Sequence, residues 1–342
     1  MPSFLSATVS EVLTARSGLQ RVATDAGRAY VLTDLVGPVE PGDRVVLNTT
    51  AVDLGLGTGG WHVVHWNLAR EAWSQPGPGH IMKLRYTSLQ VDTGAAEEDH
   101  PDLPSRVEGL PVVACSLHSQ VAVVAAVARH LRPDARIVYV MTDGAALPLA
   151  LSDLAHDLRS RRVVDAIVTA GHAFGGDLEA VAVPSALALA RHVAGADLAI
   201  VGMGPGVVGT ASPLGTTAVE VAGIVDAAAR MGARVALCCR ASGADPRARH
   251  LGVSHHVATI LGLAASDPEV PLPADLSAGL PPDVPGAVVV EGPDVAPVLA
   301  ALGIRVTTMG RGPADDVPFF AAAAAAGRWA ADAVGEASPD AQ

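Results

Sequence analysis

Hydrophobic and polar positions follow two different patterns along this chain. Over residues 6–68, apolar positions come in short runs broken by turn residues. Runs at 22–24 and 30–32 flank Asp25-Ala26-Gly27, a hairpin signal, and Pro41-Gly42-Asp43 leads into a strand at 44–47. Gly55, Gly57, Gly59 and Gly60 make a loop before a further strand at 61–66. About five strands in ~60 residues predict a small all-β, barrel-like module over 1–70. A bridging segment, 71–110, follows. Within it Pro76-Gly77-Pro78-Gly79 breaks structure, 80–87 alternates like a strand, and 93–106 reads as an acidic exposed loop.

Between residues 111 and 334, apolar runs alternate with amphipathic stretches. Strands are predicted at 112–116, 136–141, 163–169, 197–201, 234–239, 288–290 and 305–308. Helices are predicted at 119–131, 148–161, up to about 193, at 218–231, 255–263, 295–302 and 317–333. Residues 268–285 read as a proline-rich connection and 335–342 as a frayed tail. Uniformly apolar strands separated by helices predict a mostly parallel sheet covered on both faces. Right-handed crossovers make this a Rossmann-like, doubly wound α/β domain. Ligands in such sheets bind beyond the carboxyl ends of the strands. The loops there are the place to look for chemistry.

The segments GHIMKLRYTSLQ (79–90), TAGHAFGGDLEAV (169–181) and VGMGPGVVGTASPLG (201–215) resemble, in that order, the uncharacterised bacterial domain-of-unknown-function family 3866. The resemblance spans nearly the whole chain. It implies a shared fold and carries no activity with it.

Composition narrows the function classes. The chain has 342 residues, about two domains' worth, with 50% apolar and 17% charged residues, which argues against disorder. The net charge of −12 comes with no basic face, so a nucleic-acid partner is not expected. The one basic run noticed, Arg159, Arg161 and Arg162, closes a predicted helix, where cations suit the negative end of the dipole. Cys115, Cys238 and Cys239 have neither a disulfide nor a zinc-ligand spacing, which fits a reduced, cytoplasmic setting. The start of the chain lacks a leader pattern, and no run of ~20 apolar residues suggests a membrane span. The high apolar content is compatible with a homo-oligomer.

Five constellations carry candidate chemistry. The loop from Gly202 to Thr217 follows a strand and precedes a helix. Its Gly202, Gly204, Gly206 and Gly209 permit close backbone approach, with Thr210, Ser212, Thr216 and Thr217 as polar neighbours. Thr217 with Glu220 reads as a capping box, and the free amides of a helix start attract phosphate or carboxylate. The spacing matches neither the dinucleotide fingerprint nor a P-loop, so no cofactor is named. In the second, His172 is a candidate acid or base and Asp177 a ligand-binding residue or helix cap. Third, Lys83 is the only lysine against 22 arginines, and in a strand it shares a face with Arg85. Fourth, His118 follows the first strand, with Ser119 as a helix cap. Fifth, Asp143 follows the second strand, where it suits ribose hydroxyls, a metal or a turn with Gly144.

His62 and His65 face opposite sides of a strand, and His255 and His256 are merely adjacent, so no metal site is expected. Together these features predict a protein that binds a small anionic, phosphorylated or nucleotide-like molecule. In that reading His172, His118 and Lys83 do the chemistry. The alternative is a non-catalytic metabolite-binding or regulatory protein.

Overall fold

In a computed structural model, residues 2–57, 59–277 and 286–336 are described. The chain forms two compact units that meet in sequence at Gly94 and Ala95.

The first unit is built on β1 (Phe4–Arg16), β2 (Leu19–Thr24), β3 (Gly27–Leu32), β4 (Arg44–Asn48) and β5 (Trp61–Asn67), with single-turn helices α1 (Thr33–Val36) and α2 (Thr50–Asp53). They close into a barrel in the order β1-β2-β3-β5-β4. β1 is long enough to pair with both β2 and β4, and register shifts at Val9/Glu11 and Val12/Thr14 let it bend around the closure. Ala7, Val9, Val22, Val31, Val45, Leu47 and Val64 fill the interior. Gly27, at φ +116°, makes the tight turn read from the sequence.

The strand expected at 80–87 does not form. Only Met82–Lys83 (β6) pairs, with Val91–Asp92 (β7). Leu84 and Tyr86 adopt positive φ, 52° and 62°, which ends any alternation. Lys83 and Arg85 therefore share no strand face: Lys83 is buried and Arg85 exposed.

The second unit opens with α3 (Ala96–Asp99), a helical turn inside the expected acidic loop. A six-stranded sheet follows, from β8 (Pro111–Cys115), β9 (Ile137–Thr142), β10 (Ala166–Ala170), β11 (Leu178–Ala180), β12 (Leu198–Met203) and β13 (Arg234–Leu237). All neighbours pair in parallel, in the order β11-β10-β9-β12-β8-β13. Every residue of β8, β9, β10 and β12 is buried, as a sheet covered on both faces requires. Ile137, Tyr139 and Met141 face one core with α4 (His118–Leu131) and α5 (Asp153–Ser160). Val138 and Val140 face the other, with α6 (Val183–His192), α7 (Glu220–Arg230) and α8 (His255–Leu263).

Beyond β13, β14 (Ala241–Ser242) and β15 (Gly252–Val253) form a small antiparallel pair, and β16 (Val270–Leu272) and β17 (Ala287–Val289) a parallel one. The remaining helices are α9 (Ala274–Ser277), α10 (Val295–Leu302) and α11 (Val317–Glu336). α11 lies on α4 through alanines and Gly327. A Cβ at Gly327 would meet Val127 Cβ at 2.8 Å, so only glycine permits that approach.

Four expectations need correcting. Residues 178–180 form β11 instead of opening a helix, so Asp177 caps nothing. Its carboxylate pairs with Arg159 at 2.9 Å and accepts from the Ile167 amide at 2.8 Å. Residues 305–308 form no strand. Thr308 and Arg311 instead close a turn that carries Met309 and Gly310 at positive φ. The proline-rich connection holds a strand, β16, because Val270 and Leu272 are buried in the core. Gly335 and Glu336 belong to α11, while 337–342, the rest of the expected tail, and 278–285, the end of the connection, lie outside the described residues.

Candidate functional site

β8 and β12 are neighbours whose following helices, α4 and α7, lie on opposite faces of the sheet. Such a divergence opens a crevice at the carboxyl end of a doubly wound sheet. A cavity of about 330 Å³ lies there. Its wall comes from Leu117–Ser119 after β8, Pro205–Thr210 and Thr216 after β12, and Arg240, Arg247, Arg249, His250 and His256 after β13. Leu154 of α5 and Thr307–Met309 complete it.

Of the residues singled out in the sequence, His118, Gly206, Gly209, Thr210 and Thr216 meet here. Gly206, at φ +99°, has open space where a Cβ would stand. Gly209 and Thr216 form an antiparallel bridge that folds the tip of the loop back on itself. The other glycines serve packing. A Cβ at Gly204 would lie 2.6 Å from the Ala146 carbonyl oxygen, and one at Gly202 3.0 Å from that of Cys115.

Ser212 and Thr217 lie outside the cavity lining and take part in bonds within the loop. The Ser212 amide donates to Thr210 Oγ1, and Thr217 Oγ1 accepts from the Val208 amide. The capping box does not form. Thr216 caps a short 3-10 turn, and α7 starts only at Glu220. Ser119 is likewise not a cap, because the Gln120 side chain accepts from the amides of Ser116 and Leu117 at the start of α4.

His118 has partners for both ring nitrogens. Nε2 lies 2.7 Å from Ser152 Oγ, and Nδ1 lies 3.2 Å from the Met203 carbonyl oxygen and 3.3 Å from Tyr139 OH. The carbonyl can only accept, so Nδ1 carries the proton and Nε2 accepts from Ser152. Ser152 in turn caps α5 by accepting from the Ala155 amide. Burial pushes the imidazole down to about 4, so it is neutral at pH 7.

A second group gathers one strand further along the edge. The Asp143 carboxylate accepts from the His172 amide at 2.9 Å, and Thr142 Oγ1 donates to Glu220 at 2.6 Å. Gly171 is at φ +67°, and its Cβ would stand 2.3 Å from Asp143 Oδ2. Burial, with the nearby Asp143 charge, raises the Glu220 carboxyl to about 7 against the hydrogen bond from Thr142. Neither His172 nor Asp143 lines the cavity described above. Asp177 is also elsewhere, and Lys83 and Arg85 belong to the first unit.

The cavity's dominant feature was missed in the sequence reading. Arg240, Arg247 and Arg249 line it with three histidines, and no aspartate or glutamate does. Asp245 engages Arg247 at 2.7 Å and stays well below the usual carboxylate range because of that bond. It reaches Arg240 only at 4.0 Å. Arg240 is buried, and burial together with Arg247 brings its guanidinium down to about 10. Burial and the arginines also hold His250 at about 4 and His256 at about 3. His250, His255 and His256 bring their ring nitrogens within 4.8 Å of one another, although no spacing had suggested it. The available signal was density: residues 240–256 hold three arginines and three histidines against one acid, Asp245.

Fold and site define an α/β protein of the doubly wound, parallel-sheet class with an N-terminal five-stranded barrel and a basic crevice at the strand ends. Within that class, the chain belongs to the family described as a protein of unknown function (DUF3866), whose model matches residues 28–327. Comparisons with curated proteins and with solved structures find no match. Among the described residues no helix is long and apolar enough to cross a membrane.

Proposed function

We propose that the protein binds a small anionic molecule, with a phosphate or carboxylate group held by Arg240, Arg247 and Arg249. One observation carries this reading: a chain of net charge −12 lines its strand-end cavity with three arginines and no carboxylate. Guanidinium groups recognise phosphate and carboxylate by paired hydrogen bonds. Gly206, in the same wall, has open space where a Cβ would stand. The volume suits a small molecule.

The geometry favours binding over proton transfer by the expected groups. His118 is neutral with both nitrogens engaged, which suits a positioning role for α5. His172 sits with the carboxylate group. Anion binding is common to the enzymatic reading and to the regulatory or metabolite-binding alternative.

The test is a thermal-shift and calorimetric series with inorganic phosphate, pyrophosphate, a nucleoside monophosphate and a dicarboxylate. At least one phosphate compound is expected to raise the melting temperature, and Arg249→Ala and Arg240→Gln to weaken that binding about tenfold or more, since a charge-assisted contact contributes about 1.5–3 kcal/mol. Absence of stabilisation by every anion, or equal binding by both variants, would sink the reading.

A further inference from the structure

We propose that His250, His255 and His256 form a zinc-type divalent metal site in the wall of this pocket, with the bound anion as the metal's exchangeable ligand. Only the last clause rests on the anion reading; the metal site stands on its own residues.

The three imidazoles come together for local reasons. His250 ends a 3-10 turn, and the paired strands β14 and β15 turn the chain back so that Ser254 caps α8. His255 and His256 are the first two residues of that helix. Ring centroids lie 4.5 to 5.0 Å apart in all three pairings. One nitrogen from each ring falls within 4.8 Å of the others. Tetrahedral zinc holds imidazole nitrogens about 3.4 Å apart, so the rings must close by about an ångström, within reach of small side-chain rotations.

The hydrogen bonding points the same way. His250 Nδ1 lies 2.8 Å from Ser254 Oγ. A ligand histidine is ordinarily oriented through its other nitrogen in this manner, leaving Nε2 for the metal. His255 Nε2 is buried and has no hydrogen-bond partner among the described residues. Buried polar atoms nearly always have a partner, and a metal supplies one. His256 is the ligand that must change hands: its Nδ1 accepts from Arg240 at 3.0 Å. Metal binding displaces that contact. Arg240 then turns toward Asp245, 4.0 Å away, or toward the anion.

An anion beside the metal would offset the repulsion between a dication and the neighbouring arginines. His250 and His256 both line the cavity, so the metal would border the place where the anion is proposed. Three imidazoles leave a fourth position open, the arrangement of sites that exchange ligands. Linkage then requires metal and anion each to tighten the other by the same factor.

The experiment uses the full chain, stripped with chelator and titrated with zinc by calorimetry, and with cobalt followed by its visible spectrum. One metal per chain and an intense tetrahedral cobalt band are expected. His255→Ala should lower zinc affinity at least a hundredfold, with an unchanged far-ultraviolet spectrum as the control for folding. His65→Ala, in the barrel, should leave it unchanged. Arg240→Gln removes a competitor for His256 and should tighten zinc while weakening phosphate. Millimolar sulfate, which does not precipitate zinc, should tighten zinc severalfold.

Unaltered zinc affinity in a folded His255→Ala protein, or an equal loss in His65→Ala, overturns the metal site. If zinc fails to bind while phosphate still stabilises the protein, the metal site falls and the anion reading survives. If zinc binds to the three histidines but no anion does, the metal site survives without its anionic ligand.

Discussion

Two groups on the same sheet edge make opposite use of charge. After β9 and β10 lies an acidic set, in which the Asp143 carboxylate accepts from the His172 amide and Glu220 accepts from Thr142 Oγ1, while the two carboxyl groups repel each other. After β13, Arg240 and Arg249 face a cavity, and Asp245 binds Arg247 more closely than it does Arg240. In the first set each carboxyl group already has a protein donor. The second leaves positive charge turned toward space. Residue types that look chemical in a sequence therefore divide by whether neighbours already satisfy them, and the unsatisfied side is the better candidate for a ligand.

Breaking the acidic set should have the largest effect. Gly171→Ala places a Cβ against Asp143 at a positive φ, and urea unfolding should show a loss of about 3 kcal/mol with phosphate binding retained. If anion binding disappears from folded Gly171→Ala protein, the two groups are not separate.

Next comes the pH dependence of Glu220. A carboxyl whose folded-state value is raised gives up stability as pH climbs from its unfolded value, 4.5, through about 7. Denaturant melts should show the wild type losing up to about 3 kcal/mol over that window. Glu220→Gln should remove that component and be the more stable of the two at pH 8. An unchanged pH profile in the variant would show that burial of Glu220 is not what the wild type responds to.

His118→Ala removes the bonds to Ser152 and to the Met203 carbonyl, at a cost of about 2 kcal/mol of stability. Anion binding should persist, because the ring carries no charge; its loss would give His118 a direct part in the site. The smallest effect on folding is expected from Arg249→Ala. The side chain is exposed and pairs with no carboxylate among the described residues, so stability should stay within about 0.5 kcal/mol while phosphate binding weakens. That variant sharpens the comparison most, since it separates ligand recognition from folding.

Much of the architecture could be read along the chain. The apolar runs at β8, β9, β10 and β12 announced a sheet buried on both faces, and the turn residues before residue 68 announced a small barrel. Of the glycine loop after β12, Gly206, Gly209, Thr210 and Thr216 line the cavity. The short strand β11 escaped notice because three residues with a leading aspartate look like a helix start. The partnership of that loop with residues 240–256 also escaped notice. Individually, Arg247 and Arg249 resemble ordinary surface charges.

Local sequence thus determined which segments are strands and helices, because burial on one or two faces imprints a period on neighbouring residues. It also determined that the ends of those strands carry flexible, polar loops. Only the tertiary structure decided that β12 lies between β8 and β9 with β13 beyond β8. That order brings His118, Gly206, Arg240 and His256 around one cavity. Strand order arises from pairing between distant segments, and charge becomes meaningful only once the fold shows which groups are neutralised and which are left facing a ligand.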